Sequence, residues 1–354
     1  MKCKIKDIAK VTMGQSPESI WYNSDGEGIP FLQGNRTFGD KYPTFDTWTK
    51  KVTKIGEPYS VIMSVRAPVG DINIIKEKVC LGRGVCSIQM KNGNQEFLYY
   101  LLKYVVNDIK NRESGTVFGS INRKDIEDID VEIPKEIKNQ IKISTILKEI
   151  DDKIELNNKI NKNLEEQVFI QYSKITKSNV CSNILFSEVA EVSSGKRPTF
   201  RYNQKTREYN IPIIGATSIM AYTNDYNCNE KVLIAGRVGT HGVIQRYNIP
   251  IWASDNTLII KSKFYEFIYQ VLKNIDWNSM NRGSTQPLIT QSDLKNINIH
   301  IPNQKLLNDF ESTAHLLMFQ YDKLNIENQL LINLRNYLLP KLMSGEIDVS
   351  KIDI

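Results

Sequence analysis

Asp293–Pro302 reads DLKNINIHIP, and Asp125–Pro134 reads DIEDIDVEIP. The two stretches match without a gap, 168 positions apart. Each ends in a polar–apolar alternation, the period of a strand with one buried face. Each is closed by a proline, which lacks the N–H needed to continue a ladder. The echo extends outward in both directions. Upstream, NRESGT (Asn111–Thr116) resembles NRGSTQ (Asn281–Gln286). Earlier still, IKDIAKVTMGQSP (Ile5–Pro17) resembles FSEVAEVSSGKRP (Phe186–Pro198), and GIPFLQG (Gly28–Gly34) resembles NIPIIGA (Asn210–Ala216). SVRAPVG (Ser64–Gly70) resembles AGRVGTHG (Ala235–Gly242), which sets Arg66 opposite Arg237, and GVCSIQ (Gly84–Gln89) resembles NTLIIK (Asn256–Lys261). The matches keep one order at offsets between 168 and 182, so the chain is an internal duplication. Two copies are too few for a solenoid, and a pseudo-two-fold within one chain is the simplest arrangement.

Each copy has the same grammar. Short β-branched runs (GIPFL, YSVIMSV, GVCSIQM) between Gly, Pro and Asn turns read as strands. Glu96–Ile109 and Glu266–Ile275 space apolar residues three and four apart and read as helices. After Pro134 the texture changes to a run without Gly or Pro. Ile143, Leu147, Ile150, Ile154, Asn157, Asn161, Leu164 and Val168 alternate spacings of four and three, a coiled-coil seam with two polar positions. Leu317, Leu324, Leu331 and Leu338 fall seven apart in the second copy, and Asp152–Leu164 aligns with Asp322–Leu334. The expected fold class is α+β: two similar domains joined by two long antiparallel coiled-coil helices, pseudo-two-fold symmetric within the chain. The expected segments are a first domain at 1–138, a central long helix at 139–178, a second domain at 179–303, and a final long helix and tail at 304–354.

Composition bounds the function. The 354 residues carry a net charge of +6, with 41% apolar and 24% charged residues, as in a globular protein. The charge is unevenly spread. Residues 148–167 hold four Lys and six Asp or Glu, whereas 196–246 hold eight Lys or Arg and three Asp or Glu. Local clustering of this kind points to nucleic acid more strongly than net charge does. Five scattered cysteines without a C-x-x-C pair fit reduced thiols and a cytoplasmic location, with no membrane span.

Catalytic patterns are scarce. There is no P-loop and no G-x-G-x-x-G after a strand. His241, His300 and His315 stand alone, without metal-ligand spacing. Asp130 with Glu136-Ile137-Lys138 faintly echoes a nuclease carboxylate–lysine site, but the second copy has NQK there, and a charged helix start accounts for it.

Phosphate contacts need Lys, Arg or backbone N–H groups, and base edges favour Arg, Asn and Gln. The candidates for DNA contact are Arg66 and Arg237 beside Gly-containing turns, Arg36 in QGNRTFGD, and Lys196, Arg197 and Arg201 in SGKRPTFRYN. Arg112 and Arg282 flank the small residues Gly115-Thr116 and Gly283-Ser284-Thr285, which are expected to shape turns.

The order of I-P strand, long helix, second domain, I-P strand and a last helix ending NLRNYLLPKLMSGEI (Asn333–Ile347) resembles the specificity subunit of type I restriction-modification systems. NRGSTQPLITQSDLKNINIHIP (Asn281–Pro302) and the domain starts AKVTMGQSP and AEVSSGKRP carry the resemblance most strongly. The sequence departs from the pattern at IPKEIKNQIKI, which lacks a second proline, and at Asn303-Gln304. The resemblance implies two target-recognition domains, each reading half of a bipartite, asymmetric double-stranded DNA target. It implies helices that act as spacer and dock two methyltransferase subunits, with restriction subunits joining them. It implies no catalytic residue, metal or cofactor on this chain, because S-adenosylmethionine, Mg²⁺ and ATP bind the partners. Two other readings stay open from the residues alone: a self-contained DNA methyltransferase or nuclease, and a coiled-coil scaffold that does not bind DNA.

Overall fold

The computed structural model describes residues 1–113, 119–177, 181–239, 242–280 and 288–352. It divides into two compact units. One comprises Met1–Leu156 with Glu327–Ile354, the other Asn157–Ile326. The boundaries cut through both long helices, Ile137–Thr176 and Gln304–Met343, each 40 residues long. Each unit therefore owns half of each helix.

The same four-stranded sheet recurs in each unit, whereas the second sheet has five strands in the first and three in the second. In the first, a four-stranded antiparallel sheet runs in the spatial order Ala9–Met13, Val85–Met90, Val61–Ser64, Ile72–Ile74. In the second, the order is Glu191–Ser194, Thr257–Lys261, Val232–Gly236, Ile244–Tyr247. A parallel pair accompanies each sheet: Ile29–Leu32 with Val79–Leu81, and Ile211–Ile214 with Trp252–Ala253. The helices Gln95–Tyr104 and Tyr265–Asn274 align position by position and bury Phe97 and Phe267 completely. Burying one such side chain contributes about 2–3 kcal/mol.

The quoted decamers prove to be two elements rather than one. Asp125 and Asp293 occupy the third position of five-residue helices, Arg123–Glu127 and Gln291–Lys295, in capping boxes with Asn122 and Thr290. Only the second parts, Asp130–Glu132 and Asn298–Pro302, are strands. Each pairs antiparallel with its domain's opening strand, Lys2–Lys4 or Cys181–Leu185. A helix of one and a half turns is too short to show an apolar period in sequence, whereas a repeated aspartate three residues after Asn or Thr marks the capping box.

The seam is present along the first long helix. In the first unit Ile143, Leu147 and Ile154 are buried and Ile150 is half-buried; in the second Asn157, Asn161 and Val168 are buried and Leu164 is half-buried. The helix halves run antiparallel within each unit. Asp151 meets Arg335 at 2.6 Å in the first. Asn161 donates to Asn325 at 2.8 Å and Tyr172 lies 6.4 Å from Phe310 in the second. The helices also join the domain cores: Ile143, Leu147, Leu342 and Met343 pack with Phe97, and Val168, Leu307, Phe310 and Met318 pack with Phe267. The five cysteines, all among the described residues, form no disulfide with one another. No described helix is long and apolar enough to cross a membrane.

Candidate nucleic-acid interface

The loops that follow the first sheet strand are built alike in the two domains. The Gly14 amide donates to the Val85 carbonyl, and the Gly195 amide to the Thr257 carbonyl, both at 3.0 Å. A Cβ on Gly14 would lie 2.1 Å from the Gly82 oxygen, and one on Gly195 would lie 2.1 Å from the Ser254 oxygen. No side chain fits there. The next amides, Gln15 and Lys196, donate to the Leu81 and Ala253 carbonyls at 2.8 and 3.0 Å, so both chains leave the sheet along one path.

In the first domain this loop forms one wall of an open cleft of about 890 Å³, shared with the segment around Gln33–Thr37 and with Arg83. Ser16 Oγ accepts from the Arg83 amide at 3.0 Å and donates to Gln33 Oε1 at 3.3 Å. The Gly84 amide donates to the Gln33 carbonyl at 3.0 Å. Three distant segments thus present Gln15, Gln33 and Arg83, all exposed, on one rim. Arg36 lines the same cleft and pairs with Asp46 at 2.7 Å. The Thr47 hydroxyl and the Arg36 guanidinium hold Asp46 below the usual carboxylate range.

In the second domain Lys196, Arg197 and Arg201 are exposed. The loop is pinned at its root by Trp252 Nε1, which donates to the Lys196 carbonyl at 2.8 Å. Farther along, Tyr202 exchanges backbone hydrogen bonds with Tyr222 and stacks on Tyr209 with ring centres 4.8 Å apart. The bases that such a surface would read are those whose edges accept from Arg and Lys, with phosphates between.

Ladder register corrects the matching of Arg66 to Arg237. Ser64 pairs with Val85, and Gly236 with Thr257, which sets Val65 opposite Arg237. The bridges Arg66–Ser120 and Val238–Leu288 confirm that Arg66 stands opposite Val238. A one-residue slip turns a side chain to the other face. Arg66 is exposed, whereas Arg237 is half-buried where the first domain buries Val65. Its Nη1 donates to Ser194 Oγ at 3.1 Å, and its buried Nε has no acceptor among the described residues. Arg237 thus sits against the root of the Lys196 loop. Arg112, exposed, donates to the Asp125 and Asp128 carbonyls at 3.2 and 3.1 Å and caps the end of the Arg123–Glu127 helix. Arg282, Gly115-Thr116, Gly283-Ser284-Thr285 and His241 lie outside the described residues.

Reading the sequence missed Gln15, Gln33 and Arg83, although one signal was present: the repeat alignment already sets Gln15-Ser16 opposite Lys196-Arg197. Glu136 pairs with Lys138 at 2.9 Å on the surface, as expected of a charged helix start. Among the described residues, no three His, Cys, Asp or Glu side chains gather as a metal site would need.

Comparison with known proteins gives a consistent result. The model of the type I restriction modification DNA specificity domain matches residues 1–166 and again 185–334. The type I restriction enzyme MjaIX specificity subunit of Methanocaldococcus jannaschii is 25% identical over 413 aligned positions, covering 99% of this chain and 94% of that one. A second protein of that organism, assigned as the MjaX specificity subunit, is 41% identical over 159 residues, 44% of this chain; the match spans only 37% of that relative. The crystal structure of a type I restriction-modification S subunit from M. genitalium shares the fold, with a TM-score of 0.66 at 17% identity, covering 97% of this chain and 96% of that one.

Proposed function

This chain belongs to the type I restriction-modification DNA specificity family, and from that membership we propose that its two domains read the two unlike halves of a split DNA target. The observation that carries this reading is the pairing of similar scaffolds with unlike side chains at equivalent places. Lys196-Arg197 replaces Gln15-Ser16 at the equivalent place of the second domain, Gly215 replaces Gln33, and Asp255 replaces Arg83. The backbone conserves the platform, and the side chains that would touch base edges differ. Two such readers on one chain favour an asymmetric, interrupted site.

The chain is the recognition component and carries out no reaction itself. Apolar side chains left exposed on the paired helix halves support docking of a methyltransferase subunit at each unit: Ile141, Leu330 and Tyr337 in the first, Phe169, Leu316 and Phe319 in the second. Restriction subunits join through those partners, which bind S-adenosylmethionine, Mg²⁺ and ATP. The place of action is the cytoplasm, in keeping with five scattered cysteines that form no disulfide with one another.

The test is to express the chain with its methyltransferase partner and map methylated bases in host DNA. An interrupted, non-palindromic motif is expected, and Arg83→Ala is expected to relax only one half of it. A continuous palindrome, or methylation unchanged when this chain is deleted, would sink the proposal.

A further inference from the structure

One stretch between equivalent strands carries opposite charge in the two domains. In the first domain it runs from Gly14 to Gly28, between Ala9–Met13 and Ile29–Leu32, and holds three Asp or Glu and no Lys or Arg. In the second it runs from Gly195 to Asn210, between Glu191–Ser194 and Ile211–Ile214, and holds five Lys or Arg and one Glu. The first domain neutralises two of its acids: Lys51 meets Glu18 at 3.2 Å, and Lys50 meets Glu27. The second domain leaves its cations open. Lys196, Arg197, Arg201, Lys205 and Arg207 are all exposed, and among the described residues none pairs with Glu208 or any other carboxylate. The ion pairs of that domain draw on Lys231, Arg246, Lys261 and Lys273 instead.

Lys196 and Arg197 stand at the root of the stretch, on the reading surface. The other three cations lie farther out, on backbone that is held in place. Arg201 precedes Tyr202, which exchanges two backbone hydrogen bonds of 2.8 Å with Tyr222 and stacks on Tyr209. Lys205 and Arg207 flank Thr206. The Thr206 amide donates to the Tyr209 carbonyl at 3.0 Å, and the Tyr209 amide donates to Thr206 Oγ1 at 2.9 Å, which closes a turn. Asn210 Nδ2 donates to the Arg207 carbonyl at 3.2 Å. The backbone of this arm is thus pinned while its charges have no partner. Three like charges on one short arm repel one another, and a polyanion relieves that repulsion. Because the arm is already ordered, binding costs it little freedom.

We propose that Arg201, Lys205 and Arg207 form a phosphate-holding arm that gives the chain a sequence-independent grip on duplex DNA, and that the equivalent stretch of the first domain gives none. This inference rests on the DNA-reading assignment above and adds a division of labour to it. The arm continues directly from Lys196 and Arg197, so it lies where phosphates flank the bases that those two would reach. Phosphate contacts fix position and carry no sequence information. Each releases counterions, so its mark is the salt dependence of binding and not base preference. The first domain's stretch, with Asp25 open and its other acids paired, offers phosphate no attraction. The chain therefore takes hold of DNA through its second domain and reads the first half-site from that anchorage.

The experiment uses the full chain with its methyltransferase partner, a duplex bearing the motif mapped by methylation, and a duplex with both halves scrambled. Affinity for each is read across about 50–200 mM KCl. The triple variant Arg201→Gln, Lys205→Gln, Arg207→Gln should make the slope of log affinity against log salt shallower by roughly 2–3, about 0.9 for each lost contact. The ratio of the two affinities should stay within about twofold, and the methylated motif should not change. Arg201→Lys with Arg207→Lys should keep the parent slope, because a phosphate accepts either cation. Lys50→Gln with Lys51→Gln, in the first domain, should move the slope by less than about 1. A triple variant whose slope moves by less than about 2 overturns the arm while leaving DNA reading in place. Loss of motif discrimination in that variant would make the three residues base readers, and loss of the methyltransferase subunit would make them a protein contact; either overturns the proposal. An equal change in the Lys50 and Lys51 variant overturns the asymmetry. If the parent complex binds the motif duplex no better than the scrambled one, this inference and DNA reading fail together.

Discussion

At one position of the duplicated sheet the second domain buries a guanidinium and the first buries an isoleucine. Ladder register makes Arg246 and Ile74 equivalent, since each faces the same position of the neighbouring strand, Leu233 or Val61. Arg246 bonds Glu266 at 2.6 Å and Asp322 of the second long helix at 3.1 Å, so one cation ties strand, domain helix and long helix together. Burial pulls its pKa down, but these carboxylates more than compensate and hold it above the ordinary value. The first domain keeps the carboxylate, Glu96, and neutralises it from elsewhere, with Lys41 at 3.0 Å. Asp152, the counterpart of Asp322, pairs with Lys148 of its own helix. Helix docking there passes instead through Asp151, which accepts from the Tyr100 hydroxyl at 2.6 Å and from Arg335 at 2.6 Å. The fold requires that the carboxylate near the domain–helix joint be neutralised and is indifferent to where the cation comes from. This is how two readers diverge without losing a common frame.

That contrast can be broken most forcefully at Arg246. Arg246→Met leaves Glu266 buried with Lys231 at 3.0 Å and the exposed His315 at 3.7 Å beside it, and should destabilise the second unit by about 3–5 kcal/mol. Adding Glu266→Gln should recover much of that, because it removes the buried charge that Arg246→Met leaves under-compensated. Hydrogen exchange over residues 257–274 in urea reads both; equal damage from the single and double variants would refute the buried charge as the cause. In the first unit, Tyr100→Phe removes one hydrogen bond to a buried carboxylate and should cost about 1–2 kcal/mol, seen as faster exchange over 95–104.

A smaller effect separates two aligned lysines. Lys273 reaches Glu165 of the first long helix at 2.7 Å. Lys103 meets Arg335 at the corresponding place on the second, and burial, then Arg335, push it down to about 8. Between pH 8 and its unfolded value near 10.5 the unfolded chain holds more protons than the folded one. Stability of the first unit should therefore rise with pH across that window. Lys103→Met should abolish this slope and stabilise the unit by about 1 kcal/mol at pH 7, whereas Lys273→Met should cost a few tenths. Thermal unfolding from pH 7 to 10.5 distinguishes them; a flat profile in the parent chain would count against the assignment.

Much of this architecture is legible in the sequence alone. The duplication fixes which elements recur, and the four–three spacing from Ile143 to Val168 places the seam, including its two buried asparagines. The Arg66–Arg237 match misled because two arginines one register apart look aligned when the neighbouring residues are small and glycine-rich; only ladder pairing distinguishes faces. Gln33 and Arg83 were invisible as site residues because their proximity comes from strands paired across some fifty positions of chain. The different fates of Lys103 and Lys273 depend on what the far helix presents, which no local window contains.

The division of the long helices bears on how the chain is made. The second unit is one uninterrupted segment, 157–326, while the first is closed by residues 327–354. Leu342, Met343 and Val349 belong to the same core as Ile5. A chain leaving the ribosome can thus complete its later domain before its earlier one. The N-terminal domain must wait for its last strip of core, against the usual order in which domains close as they emerge. During that interval the apolar face that receives Leu342, Met343 and Val349 stays open.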